Sequence, residues 1–295
     1  MLSLPIFFRR CCAHAPGILA GAILFAVVLF LAARSARGAG DAGRGPYLGF
    51  DANDYPGDAA LPALRATFTF TGYWLNAPPG AKTNTWIGKR AALLQRGFGF
   101  LVLFNGRLDR QLRAPAGPAA LGAADAHVAA ASARKDGFAP GSVIFLDQEE
   151  GGRMTATQMA YILSWVDTIA AQGFRAGIYC SGMPAREVAS VFVITAQDIR
   201  SHAGARDISY FIYNDACPPA PGCVAESAPP APSESGVAFA QIWQYAQSPW
   251  RAEFARACRN TYHADGNCYA AGAAAAGVLL DLDSALSADP SNGRH

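Results

Sequence analysis

Three carboxylates crowd the point where an apolar run meets two glycines. In VIFLDQEEGG, residues 143–152, Asp147 and Glu149 are separated by one residue and Glu150 follows at once. On an extended strand, residues two apart share a face, so Asp147 and Glu149 point one way with Phe145 while Gln148 and Glu150 point the other. Their Cα atoms then lie about 6 to 7 Å apart, one acid deeper and the other nearer the strand's end. Carboxyls held so close do not both ionise at their ordinary pKa, and the more desolvated one is pushed toward a neutral form that can donate a proton. Protonating a glycosidic oxygen requires such a group. A single strand-end Asp is also an ordinary turn or helix-cap residue, so the elements around the pair must decide what it is for.

Strand-like and helix-like segments alternate along the chain. Eight apolar, β-rich runs stand out, at 47–53, 68–75, 98–106, 142–149, 175–181, 209–215, 238–246 and 277–283. Helical patterns fill most gaps, at 83–97, 118–137 and most clearly 155–173, with Thr155 as N-cap and Gly173 as stop. Near-continuous apolar strands separated by helices predict a parallel sheet buried on both faces, and eight of them predict an α/β fold of the closed (β/α)8 type. The Pro-rich segment 216–236 and the segment 248–276 break the rhythm after the sixth and seventh strands. In a barrel, loops after strands surround the active face, so both insertions should wall the cleft.

The other acids fall on the same edge. Asp51 follows the first run, Asp215 ends the sixth, and Asp281 and Asp283 end the eighth. C-terminal strand ends are where barrel active sites are built. Tyr179, Trp243 and Tyr245, with Tyr73–Leu75 nearby, supply aromatics for either core packing or a sugar platform.

Bulk features narrow the classes. With 295 residues, net charge +2 and scattered basic side chains, the chain has no repeats and no basic stripe, which argues against nucleic acid as a partner. The five histidines (His14, His127, His202, His263 and His295) avoid the strand ends, so neither a metal nor another cofactor is expected. Arg9 and Arg10 precede an uncharged apolar run at 17–33, with Arg34 and Arg37 behind it. Residues 1–40 therefore read as an export signal or a retained membrane anchor, the chain's sole expected contact with a membrane, leading to a periplasmic or extracellular domain over 46–287 and a disordered tail at 288–295. Cys217, Cys223, Cys258 and Cys268 sit in the two insertions. Local pairs, Cys217 with Cys223 and Cys258 with Cys268, would each close a short loop in an oxidising compartment, leaving Cys180 reduced. Zinc is the competing use of the four, but no CxxC pair occurs.

Five motifs occur in a telling order: GFDANDYPG at 49–57, IFLDQE at 144–149, GIYCS at 177–181, IWQYA at 242–246 and DLD at 281–283. Together they resemble the family 25 glycoside hydrolases, the barrel-type lysozymes, and more closely the glycoside-hydrolase-like family called domain of unknown function 1906. The resemblance spans roughly residues 46–287. It implies Glu149 as general acid, Asp147 as its carboxylate neighbour and Asp51 facing them, with Trp243 and Tyr245 lining the cleft and Asp281 or Asp283 closing the ring. The lysozymes also take an acid from the sixth strand, where this chain offers Asp215 in a context unlike theirs. Two functions follow as expectations: an exported hydrolase of a cell-wall glycan, peptidoglycan foremost, or a carbohydrate-binding or envelope-remodelling protein that kept the barrel without the chemistry.

Overall fold

The computed structural model describes residues 45–225 and 228–295, so the apolar segment at 17–33 with its flanking arginines and Cys11 and Cys12 lies outside the described residues. Eight strands close into a barrel: β1 (Tyr47–Asp51), β2 (Phe70–Trp74), β3 (Gly99–Asn105), β4 (Val143–Asp147), β5 (Arg175–Ser181), β8 (Ile208–Tyr213), β9 (Ile242–Ala246) and β10 (Asp281–Ala285). A short antiparallel hairpin, β6 (Ala185–Val188) with β7 (Val191–Val193), stands apart after β5. Among the described residues five α-helices follow the first five barrel strands: α1 (Leu61–Thr67), α2 (Arg90–Gln95), α3 (Pro118–Lys135), α4 (Ala156–Ala171) and α5 (Thr195–His202). None is long and apolar enough to cross a membrane.

The strand count is as expected, but the strands are not all parallel. Seven run parallel, whereas β10 pairs antiparallel with both β9 and β1. A parallel return needs a crossover that carries the chain back to the opposite end of the barrel. The insertions after β8 and β9 contain only short 3-10 turns among the described residues, so the chain enters β10 from the rim where β9 ended. Asp281 consequently opens its strand instead of ending it, yet it lies level with the C-terminal end of β1 through the Asp51–Asp281 register.

The same reversal delivers the C-terminus to the far end. Residues 288–295, expected as a disordered tail, are bonded to the strand starts: Val143 N–H donates to Ser291 O (2.8 Å), Ser291 N–H to Phe100 O (2.8 Å) and Val102 N–H to Ser291 Oγ (2.8 Å). Ser291 is fully buried. The tail thus satisfies backbone groups at the barrel's N-terminal end that would otherwise be left unpaired.

The cysteines also differ from expectation. Cys217 is joined to Cys258 and Cys223 to Cys268, with Cα separations of 5.8 and 5.5 Å, so the bridges run between the insertions instead of within them. Each insertion lies on the same rim, and Thr261 Oγ1 of the second accepts from Cys223 N–H of the first at 3.1 Å. Four cysteines allow three connectivities, and sequence spacing does not choose among them. Cys180, buried on β5, is free, as anticipated.

Candidate active site

Strand register sets the floor of the site. Asp147, the last residue of β4, lies level with Tyr179 on β5, and Asp51 lies level with Asp281. Close approach is made possible by Gly72, where a Cβ would fall 2.6 Å from the Cβ of Asp51. The turn after β4 is anchored by the carboxylate that points away: Glu150 Oε2 accepts from Asp109 N–H (2.7 Å) and from Gln158 Nε2 (2.7 Å). Gln158 in turn belongs to the capping box of α4, donating its N–H to Thr155 Oγ1 (3.1 Å) and accepting Thr155 N–H (2.8 Å). Thr155 is thus the expected N-cap, and Glu150 links the helix start to the turn that presents Glu149.

A cavity of about 370 Å³ opens at the C-terminal end of the barrel. Asp51, Asp147, Glu149 and Asp281 line it together with Tyr179. Asp147 is the deep acid, 3% exposed and with Oδ1 lacking a hydrogen-bond partner, while Glu149 stands at the exposed rim. A chain of amides crosses the opposite wall. Gln244 Nε2 donates to Asp51 Oδ2 (2.7 Å), Tyr179 OH donates to Gln244 Oε1 (2.7 Å), and Gln247 Nε2 donates to Tyr179 OH (3.0 Å). Ser248 N–H donates to Asp281 Oδ1 (2.6 Å).

Burial dominates the electrostatics. Asp147 and Asp281 are held well above the usual carboxylate range by desolvation first, then by neighbouring carboxylates. Asp51 is raised to about 7: burial, the largest cause, and the Glu149 charge push it up, while the hydrogen bond from Gln244 pulls it back. Asp283 lies fully buried behind Asp51 and is raised well above its usual range. Neither side-chain oxygen of Asp283 has a hydrogen-bond partner, so burial disfavours its charge and holds its proton affinity up. Glu149 is raised by desolvation, opposed by the positive charge of Arg251.

Several expected residues lie elsewhere. Trp243 and Tyr245 do not line the cavity. They flank Gln244, so strand alternation turns both to the outer face of the barrel, where Trp243 Nε1 donates to Asn214 O (2.9 Å) and Tyr245 OH to Val224 O (2.8 Å) beneath the first insertion. Asp283 lies below the cavity, and Asp215 lies outside it, buried with its Oδ2 at 3.5 Å from Arg251 Nε. In their place Trp74, Phe211 and Tyr213 supply the aromatic walls. Arg251, Gln244 and Gln247 were missed by sequence reading. Gln244 was discoverable, since alternation applied to β9 sets it opposite its aromatic neighbours. Arg251 was not, because it lies in an irregular insertion. No group of three or more His, Cys, Asp or Glu among the described residues is arranged to hold a metal ion.

The family model of the Rv2525c-like, glycoside hydrolase-like domain matches residues 74–221, half of the chain. The chain belongs to that family. This glycoside hydrolase-like identity bears out the resemblance read from the five motifs, and the matched segment contains Asp147, Glu149, Tyr179 and Asp215. Among solved structures, an uncharacterized B. stearothermophilus protein is 19% identical over 81% of this chain and 95% of that one, with a TM-score of 0.51, and shares its fold. The Mycobacterium tuberculosis Tat-secreted protein Rv2525c, in complex with HEPES, is 13% identical over 84% of this chain and 98% of its own (TM-score 0.48). The Clostridium perfringens spore cortex lytic enzyme SleM is 12% identical over 82% of this chain and 68% of its own (TM-score 0.48). No curated protein matches the chain.

Proposed function

We propose that this member of the glycoside hydrolase-like family is an exported hydrolase of a cell-wall polysaccharide, with the amino-sugar backbone of peptidoglycan as its substrate. The observation that carries the reading is the Asp147 and Glu149 pair, with raised proton affinities, in an aromatic-walled cavity at the catalytic end of a barrel. In this reading Glu149, at the rim where a polymer arrives, gives its proton to the glycosidic oxygen as the C–O bond breaks. Asp147, neutral beneath it, adds no second negative charge and orients the sugar by hydrogen bonding. Asp51, three strands away around the barrel and close to its ionisation point at neutral pH, accepts the proton of the attacking water. Trp74, Tyr179 and Tyr213 stack on the rings. A second cavity of about 360 Å³ shares Asn53, Ser248 and Asp281 with the first, which suits a polymer longer than one ring. Two disulfides support export, since such bonds persist in oxidising compartments. The apolar segment at 17–33 would serve as signal or anchor.

One observation favours the second reading, a barrel that binds glycan without cutting it: the sixth-strand acid Asp215 is withdrawn from the cavity and set beside Arg251. Purified protein incubated with peptidoglycan and a panel of other polysaccharides separates the two. Release of new reducing ends from an amino-sugar polymer is expected. Binding with no release across the panel would overturn hydrolysis in favour of the second reading.

A further inference from the structure

The cavity is lined by far more acids than a neutral sugar needs. Four carboxyls line it, Asp51, Asp147, Glu149 and Asp281, against one guanidinium, Arg251. That guanidinium is already engaged outside the cavity by Asp215 at 3.5 Å and donates from Nη2 to Gln247 Oε1 at 2.7 Å. Asp147 is 3% exposed, lines the cavity and keeps Oδ1 without a donor. A buried acceptor left unpaired costs free energy that a ligand donor recovers. An N-acetyl group offers one N–H and no charge, whereas an ammonium offers three donors and a positive charge. The walls are compatible with a cationic guest, since Trp74, Tyr179 and Tyr213 line the cavity and Tyr213 already holds the Arg251 guanidinium 5.5 Å from its ring centroid. A metal ion is the poorer fit, since among the described residues no such carboxyl group has a metal-binding arrangement.

We propose, building on the glycan-hydrolase reading, that the cavity is specific for amino sugars with free amines, and that an ammonium group of a de-N-acetylated polymer sits over Asp51, Asp147 and Asp281. The substrate class is thereby narrowed to cationic or partly deacetylated amino-sugar chains. Proton linkage follows. The groups facing the ammonium are Asp51 from β1, Asp147 and Glu149 from β4, and Asp281 from β10 with Asp283 behind; Tyr179, Tyr213 and Arg251 complete the ring. Burial raises the proton affinity of these carboxyls in the empty site, that of Asp51 to about 7. An ammonium replaces a proton, so binding releases protons and tightens as pH rises through 5 to 7, until the amine itself deprotonates.

The test is calorimetric titration of the full chain at pH 6.5, in two buffers of different ionisation enthalpy, with glucosamine hexamer and with N-acetylglucosamine hexamer. The deacetylated hexamer is expected to bind at least about tenfold tighter and to release protons, and Asp281→Asn, which keeps an acceptor for Ser248 N–H, should remove most of the preference. Asp147→Asn serves as the second variant for binding should Asp281→Asn fail to fold. Equal or tighter binding of the acetylated hexamer overturns the inference, as does equally tight binding of spermine or competition by millimolar Ca²⁺. Cleavage of acetylated glycan without any preference for amines would refute this inference and leave the hydrolase reading standing. Amine-selective binding with no cleavage of any polymer would do the reverse.

Discussion

Asp51→Asn is expected to stabilise the protein while emptying the site of one carboxyl. Asp51 is 5% exposed and its pKa rises from 3.8 to about 7 on folding. A carboxyl bound more tightly to its proton in the folded state favours folding when protonated, so its presence costs stability as pH climbs from about 4, and the full cost is reached above about 7. Roughly three pKa units at about 1.4 kcal/mol each give a ceiling of about 4 kcal/mol. Asparagine keeps an oxygen for the 2.7 Å bond from Gln244 Nε2, so that side of the network survives. Because part of the shift depends on the charge of Glu149, the gain is trimmed to roughly 2 to 4 kcal/mol at pH 8, or about 4 to 16 °C in Tm for a domain of this size. Near pH 4 the gain should vanish. Thermal denaturation of wild type and variant at pH 4 and pH 8 reads both numbers. A variant no more stable at pH 8, or stabilised equally at both pH values, would refute the view that this site stores the cost of buried charge.

Two further outcomes bear on the insertions. Arg251→Met removes the cation that holds Glu149 down, so the alkaline limb of the pH profile for kcat/KM should move up by about 0.5 to 1 unit, and stability at pH 8 should fall by about 1 to 3 kcal/mol, a buried-pair loss discounted for the arginine's exposure; an unmoved profile contradicts the assignment. Non-reducing peptide mapping should find Cys217 with Cys258 and Cys223 with Cys268, and opening one pair by double Cys→Ser replacement should cost up to about 4 kcal/mol, given chain separations of 41 and 45 residues; recovery of Cys217 joined to Cys223 would refute the crossed clasp.

Alternation and strand-end position carried much of the site into view. They located Asp51, Asp147, Glu149 and Tyr179 correctly in one cavity, because side-chain period and barrel topology are local and general. Asp281 reached the right rim for a different reason, since β10 runs backwards and starts there. Trp243 and Tyr245 were misassigned by letting residue type outweigh alternation, which gives the inner face of β9 to Gln244. Arg251, the crossed disulfides and the ordered C-terminus depend on contacts between segments far apart in the chain, and no local pattern encodes them. The same holds for the direction of the last strand, which follows from insertions after β8 and β9 that contain only short 3-10 turns among the described residues.

The most direct measurement compares Glu149→Gln with Glu150→Gln in release of reducing ends from an amino-sugar glycan. Glu149→Gln keeps size and hydrogen-bonding reach but carries no dissociable proton, so turnover should fall at least about a hundredfold while glycan binding persists. Glu150→Gln weakens the bonds to Asp109 N–H and Gln158 Nε2; it should lower Tm by a few degrees and leave turnover within about threefold. Intact turnover in Glu149→Gln, or a crippled Glu150→Gln with unchanged Tm, would contradict the assignment of Glu149 as proton donor.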